Sequence, residues 1–72
     1  MINLQHLEQL ITVAKEGTLS RAAEVLLISQ PSLTRNMRQL EDDLGVQLFE
    51  RSKNKLSLTK TGKYTVQQAE AL

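Results

Sequence analysis

The sequence predicts one small, mainly α-helical domain that also contains a two-stranded hairpin. Apolar residues recur at three- and four-residue spacing in four segments, residues that favour helix ends flank these segments, and the period changes between residues 46 and 58. A length of 72 residues suffices for one core and leaves no room for a second domain. The sequence contains no cysteine, so neither disulfides nor cysteine zinc sites support the fold.

The first two helices are predicted from apolar stripes. The first stripe consists of Leu4, Leu7, Leu10, Ile11 and Ala14, and the second of Leu19, Ala22, Ala23 and Leu26. We therefore expect a helix from about Leu4 to Glu16, followed by Gly17 in the left-handed position that ends many helices. Thr18 is the expected N-cap of the second helix, which ends near Leu26 or Leu27.

A third helix is expected to begin at Ser29-Gln30-Pro31, with Ser29 as its N-cap and Pro31 in its first turn. Its apolar stripe is Leu33, Met37, Leu40 and Leu44, and Gly45 is placed to end it. About two residues, Ile28 and Ser29, separate the second and third apolar patterns. So short a turn makes two helices cross steeply, as in helix-turn-helix units, and the second helix then braces the third.

The remaining residues predict a hairpin and a fourth helix. Leu48-Phe49 and Leu56-Ser57-Leu58 fit two short strands joined by the polar turn 52–55. We expect Phe49, Leu56 and Leu58 to face the core. Thr59 is the expected cap of a helix that runs to the end of the chain. Its apolar positions, which either close the core or pair with the same helix of a second copy, are Tyr64, Val66, Ala69 and Leu72.

The polar face of the third helix is the candidate binding surface. With the apolar stripe inward, the opposite side carries Pro31, Thr34, Arg35, Arg38 and Asp42, and Gln30 and Ser32 lie near its start. Glutamine and arginine make paired hydrogen bonds to adenine and guanine edges in the major groove of DNA. Asp42 and Asp43 are repelled by phosphates, which limits contact to the N-terminal half. In isolation, two arginines on the exposed side of a helix usually mean only a solvated face, but the short turn and a basic hairpin favour DNA.

The formal charge of +1 is unevenly distributed along the chain. Residues 1–50 carry four bases against seven acids, whereas residues 51–63 carry five bases and no acid. Arg51, Lys53 and Lys55 lie near the hairpin turn, where they suit the DNA backbone or a narrow, A·T-rich minor groove. The alternative is a charged hairpin tip that only keeps the protein soluble.

Other site classes find little support in the sequence. The single phenylalanine and single tyrosine argue against base-stacking modules for single strands and against aromatic cofactor pockets. His6 has no partner group nearby and is expected on the surface, so no metal is assigned. Ser20, Ser29 and Ser32 lack a base partner, and the acids from Glu41 to Asp43 do not converge. We expect no enzyme, cofactor or metal site, and the absence of a membrane span or signal segment suits the cytoplasm.

Several motifs together resemble the N-terminal DNA-binding domain of LysR-type transcriptional regulators. They are Arg21-Ala22-Ala23 with Leu26, Ser29 to Arg35, Leu40 to Gly45, Leu48-Phe49-Glu50-Arg51, and Leu58-Thr59 with Gly62. The resemblance implies a winged helix-turn-helix domain at residues 2–59, with a three-helix core, a two-stranded wing and the helix-turn-helix motif at about 19–38. Residues 60–72 would begin a linker helix used for dimerisation, and the family's effector-binding domain would be absent. The sequence departs from the family at Asn36, where glutamine is frequent, and in the lysines of the wing.

The resemblance also implies a bacterial, cytoplasmic regulator that binds double-stranded DNA at an interrupted palindrome. A homodimer through the C-terminal helix, with Tyr64, Val66, Ala69 and Leu72 as its contacts, would pair into a tetramer in the full-length protein. A small-molecule effector would bind only the missing domain, and no membrane is involved. The expected DNA-binding residues are Thr18, Ser20, Gln30, Pro31, Ser32, Thr34, Arg35, Arg38, Arg51, Lys53 and Lys55. The alternative function is that of a winged-helix module that binds protein.

Overall fold

A computed structural model of the chain describes residues 2–52 and 55–72, and only the backbone at 51, 52, 55 and 56. The elements follow one another as α1 (Leu4–Glu16), α2 (Leu19–Leu26), α3 (Gln30–Leu44), β1 (Phe49–Ser52), β2 (Lys55–Leu58) and α4 (Lys60–Glu70). This order confirms the predicted mainly α-helical, winged helix-turn-helix class. Among the described residues, no helix has the length and hydropathy needed to cross a membrane.

Each helix begins at an uncharged side chain that accepts a hydrogen bond from the first turn. Thr18, Ser29 and Thr59 act as the predicted caps of α2, α3 and α4, and Asn3 caps α1 through the backbone N–H groups of Gln5 and His6. None of the four helices has an acidic residue in its first turn. These caps satisfy backbone donors that a helix leaves free at its start, so the polar residues between the apolar stripes fix where each helix begins.

The connection between α2 and α3 is one residue longer than predicted. It consists of residues 27–29, because Leu27 leaves the helix in the left-handed conformation, with φ 59°. The backbone N–H groups of Leu27 and Ile28 then bond back to the carbonyls of Glu24 and Ala23. The side chain of Leu27 is 90% exposed, so no packing compensates for this backbone conformation. The sharp turn nevertheless places α3 directly after α2, and the two helices pack against each other. The steep crossing of the two helices stays a prediction.

The core lies where α1, α2 and α3 meet, and the hairpin and α4 close it. Its buried members are Leu10, Val13, Ala22, Ala23, Leu33, Met37, Leu40, Leu48, Phe49 and Val66. Leu33, Met37 and Leu40 are the predicted inward stripe of α3, and Leu44 packs beside them half-buried. Burial of this stripe fixes the rotation of α3 and therefore decides which of its side chains face solvent.

The hairpin differs from the prediction at its ends. The strands pair antiparallel from Phe49 opposite Leu58 to Ser52 opposite Lys55. Leu48 is fully buried but precedes β1, and Ser52 and Lys55 belong to the strands, which corrects the predicted turn of 52–55. Phe49 is buried and Leu58 packs against the core as predicted, whereas the side chain of Leu56 lies outside the described part.

Helix α4 ends at Glu70, whereas the sequence predicted a helix that runs to the end of the chain. Of its predicted apolar positions, Val66 packs into the core, Ala69 is half-buried, and Tyr64 and Leu72 are 62% and 92% exposed. Gly62 lies so close to the backbone of Leu48 that an added Cβ would overlap its carbonyl oxygen. The start of α4 therefore contacts the segment that leads into β1.

Candidate nucleic-acid interface

The exposed face of α3 gathers most of the residues predicted to contact DNA. Gln30, Pro31, Thr34, Arg35 and Arg38 line one open depression on the surface. Thr34 is half-buried and the other four are exposed. Spacings of three, four and eight residues put side chains on the same face of a helix, which explains why these five lie together. The depression offers amide, hydroxyl and guanidinium groups at one end of an exposed helix.

A hydrogen-bond network at the start of α3 orients Arg35. Ser29 Oγ accepts from the backbone N–H of Ser32 at 3.2 Å and donates to Ser32 Oγ at 2.8 Å. The guanidinium of Arg35 donates to the same Ser32 Oγ at 3.3 Å. Ser32, predicted as a direct DNA contact, therefore lies beside the depression and supports Arg35 within it.

The start of α2 presents two further predicted contact residues. Thr18 and Ser20 are both exposed, and Thr18 Oγ1 accepts the backbone N–H of Arg21 at 3.1 Å. A threonine that accepts one hydrogen bond retains its own hydroxyl proton for another partner. The exposed Arg21 forms an ion pair with the half-buried Glu16, in which Nε and Oε1 are 3.7 Å apart, and a pair so close to the surface is weak enough to exchange partners.

Asn36 is turned away from the depression. Its Nδ2 donates to Gln9 Oε1 of α1 at 2.9 Å, and both side chains are half-buried. The contact spans 27 residues of sequence, so the pattern along α3 carried no signal for it. The amide of Asn36 holds α3 against α1. Asparagine at this position, where glutamine is frequent in the family, therefore has a structural role in this chain.

Acidic side chains occupy the other end of α3. Asp42 and Asp43 are exposed, and Gln39 Nε2 donates to Asp43 Oδ1 at 2.9 Å. At about 1.5 Å of rise per residue, Asp42 lies roughly 18 Å along the helix from Gln30. This separation agrees with the prediction that only the N-terminal half suits a polyanion. Glu41, the third acid, instead turns toward the chain that leads into β1.

The basic residues of the hairpin are described only in part. The backbones of Arg51 and Lys55 lie on neighbouring strands, opposite Leu56 and Ser52 respectively. Their side chains, and the whole of Lys53, lie outside the described residues.

His6 differs from the expectation of a surface residue, because it is half-buried and its Nδ1 is enclosed without a hydrogen-bond partner. Within residues 2–52 and 55–72, no three His, Cys, Asp or Glu side chains converge in a way that could hold a metal ion.

Comparison with known proteins identifies the protein family to which the chain belongs. A family model described as "Bacterial regulatory helix-turn-helix protein, lysR family" matches residues 4–63. The chain belongs to this lysR family. The predicted membership of this family is thereby confirmed, and the similar proteins are named as transcriptional regulators.

Individual members of the lysR family are similar over nearly the whole chain. The HTH-type transcriptional regulator YtlI of Bacillus subtilis (strain 168) is 48% identical over 62 residues, which cover 86% of this chain and 20% of that protein. The crystal structure of the BenM DNA-binding domain with catB site 1 DNA superposes with a TM-score of 0.89 at 36% identity. The superposed region covers 97% of this chain and 79% of the BenM chain.

Full-length CbnR complexed with its target DNA is 40% identical with a TM-score of 0.89, and covers 97% of this chain and 24% of that one. The chain spans about a fifth of the length of the curated relatives it matches.

Proposed function

We propose that the chain binds double-stranded DNA by placing the N-terminal half of α3 in the major groove. The observation that carries this proposal is the common depression of Gln30, Pro31, Thr34, Arg35 and Arg38 on a helix that follows a sharp turn. An α-helix with its side chains is about 10–12 Å wide, which matches a major groove of about 12 Å. The DNA complexes of BenM and CbnR support the proposal, since both have this fold.

The residues of the depression have distinct chemical roles. Arg35 is suited to a paired hydrogen bond with O6 and N7 of guanine, and Gln30 to N6 and N7 of adenine. The hydroxyl groups of Thr34 and Ser32 donate to phosphates or base edges, and Arg38 lies one turn further along for a phosphate. Pro31 contributes apolar contact and carries no N–H.

Two further elements position α3 on the duplex. Thr18 and Ser20 lie at the start of α2, where their hydroxyl groups suit the phosphate backbone. Arg51, Lys53 and Lys55 belong to the wing, which follows the backbone or enters a minor groove. Because narrow A·T-rich minor grooves have the most negative potential, the preferred site contains A·T pairs beside the wing.

The chain is further proposed to act as a dimer on an interrupted palindrome, since two copies that meet two half-sites impose two-fold symmetry on the DNA. In this proposal residues 2–59 form the DNA-binding domain and α4 begins a linker helix. A surface depression between α1 and α4 supports an apolar contact there, and Tyr64 is exposed on α4. The residues that line this depression are Leu4, Leu7, Glu8, Ile11, Ala69 and Leu72. Val66 is less suited to a partner because it is buried in its own domain.

The chain covers about a fifth of the length of its curated relatives. From the resemblance to the family, we further propose a cytoplasmic regulator whose remaining part binds a small-molecule effector and assembles tetramers.

The test is selection of bound sequences from a random duplex pool, followed by gel shifts on the selected and a scrambled duplex across salt concentrations. We expect enrichment of two-fold related half-sites and an affinity that falls steeply with salt, because bound lysines and arginines release counterions from DNA. A pool that stays random, together with salt-insensitive binding of a protein partner, would instead support the alternative of a protein-interaction module.

A further inference from the structure

Glu41 makes a contact that the proposed DNA-binding surface does not use. Its Oε2 accepts hydrogen bonds from the backbone N–H of Leu48 at 2.8 Å and from that of Phe49 at 3.3 Å. Glu41 lies in the last turn of α3, and Phe49 is the first residue of β1. One carboxylate oxygen thus joins the end of the recognition helix to the base of the wing.

The two backbone donors lie where strand pairing begins. The register of the hairpin starts at Phe49 opposite Leu58, so Leu48 precedes the ladder although its side chain is fully buried. A buried N–H without a partner is costly, and a carboxylate is a stronger acceptor than a neutral carbonyl. Glu41 therefore supplies the hydrogen-bond acceptor that these two N–H groups need.

The same segment is held from the opposite side by the start of α4. The backbone N–H of Thr59 donates to the carbonyl of Leu48 at 2.9 Å, and Thr59 Oγ1 donates to the carbonyl of Gln47 at 2.7 Å. Thr59 Oγ1 also accepts the N–H of Gly62 at 2.9 Å, and the lack of a side chain on Gly62 lets α4 approach. Residues 47–49 are thus fixed between α3 and α4.

Glu41 is the one side chain of α3 that hydrogen-bonds the hairpin, among the residues whose side chains the structure describes. Its backbone carbonyl also accepts from the N–H groups of Gly45 and Val46, so the same residue takes part in the cap that follows the last residue of α3, Leu44. A carboxylate is repelled by DNA phosphates, so DNA contact does not account for an acid at position 41. The two backbone N–H groups of Leu48 and Phe49, from which the carboxylate accepts hydrogen bonds, do account for it.

We propose that Glu41 is a positioning residue for the wing, and that it sets the angle at which the hairpin leaves α3. This inference rests on the proposed function, because it assigns Glu41 an effect on DNA affinity that acts through the wing residue Arg51. It gives Glu41 no contact with DNA.

The test is a double-mutant cycle in the intact protein, with affinities for the selected duplex expressed per folded protein. Glu41→Ala is expected to weaken binding about fivefold, the ratio that corresponds to ~1 kcal/mol. Glu41→Gln should bind close to the wild type, because its amide oxygen still accepts. Asp42→Ala is the matched control: it removes the same charge from the neighbouring residue, and we expect it to bind no more weakly than the wild type.

The cycle separates action through the wing from general damage. Glu41→Ala should cause a smaller further loss in an Arg51→Ala background, but its full loss in an Arg35→Ala background, since only residues that act together depart from additivity. If Glu41→Ala does not fold, Glu41→Asp replaces it, because the shorter carboxylate retains the charge but cannot reach both N–H groups.

Full additivity of Glu41→Ala with Arg51→Ala, or equal effects of Glu41→Ala and Asp42→Ala, would overturn this inference and leave the proposed function standing. Unchanged affinity in both Arg35→Ala and Arg51→Ala would instead overturn the proposed function.

Discussion

Asn36 Nδ2 of α3 donates to Gln9 Oε1 of α1 at 2.9 Å, and this half-buried amide pair is a direct side-chain link between the two helices. The link faces the interior, on a different side of α3 from the depression that contains Arg35. Asn36 therefore contributes to how firmly α3 is held, and in the proposed function base reading falls to its neighbours.

We expect Asn36→Ala to lower the free energy of unfolding by about 1 kcal/mol, the net value of one such hydrogen bond. Base preference should not change, because no base contact is lost. Urea unfolding and gel shifts on single-base variants of the selected duplex measure the two effects. Gln39→Ala is the control, since it removes an exposed amide of the same helix whose side-chain partner within the described residues is Asp43. A change in base preference in Asn36→Ala would place this side chain in the groove.

Arg35→Ala should weaken binding to the selected duplex by about 1–3 kcal/mol and relax the preference at one base pair. The reason is the loss of a paired hydrogen bond to a base edge. Titrations of the variant on the selected and the scrambled duplex measure the loss, and the scrambled duplex serves as the control for charge alone. If affinity for the selected duplex were unchanged, another face of the domain would have to read the bases.

Replacing Lys53 and Lys55 together by alanine should weaken binding to every duplex alike. Each phosphate contact contributes about 0.9 to the slope of log affinity against log salt, so the slope should fall by about two units. Gel shifts at several salt concentrations, on both the selected and the scrambled duplex, provide the measurement. Loss of discrimination between the two duplexes would contradict a purely positioning role for these lysines.

Leu27→Gly should stabilise the domain, although glycine usually weakens a fold. The left-handed conformation at Leu27 is unfavourable by about 1–2 kcal/mol for a residue with a Cβ, and the exposed side chain contributes little burial. After the entropy that glycine costs, we expect a gain of about 0.5–1 kcal/mol relative to Leu27→Ala. Leu27→Ala is the control because it shortens the side chain but keeps the Cβ. Equal unfolding free energies of the two variants would show that the turn is unstrained.

The parts of the fold that depend on local sequence were predictable. Thr18, Ser29 and Thr59 cap the helices they were expected to cap, because a hydroxyl and the N–H groups it accepts lie within a few residues. The stripe of α3 was equally clear, and with it the exposed face that forms the depression.

The features that depend on distant segments were not predictable. Nothing in the spacing of Asn36 or Glu41 indicates which segment packs beside it, since their partners lie 27 and seven residues away and become neighbours only in the folded chain. The left-handed conformation of Leu27 was not predictable for another reason, because leucine is unfavourable in that conformation. Tyr64 fits an apolar stripe by spacing alone, yet its ring lies in solvent.

The uncharged caps described above have an electrostatic consequence for α3. Its first turn has no acid and its last turn no base, while Arg35 and Arg38 precede the acids 41–43. The charges therefore add to the helix macrodipole in the same sense, positive toward Ser29 and negative toward Gly45. A formal charge of +1 conceals this polarity. Within about 10 Å of a polyanion, roughly the Debye length at 0.1 M salt, we expect this field to turn the start of α3 toward the DNA before any contact forms.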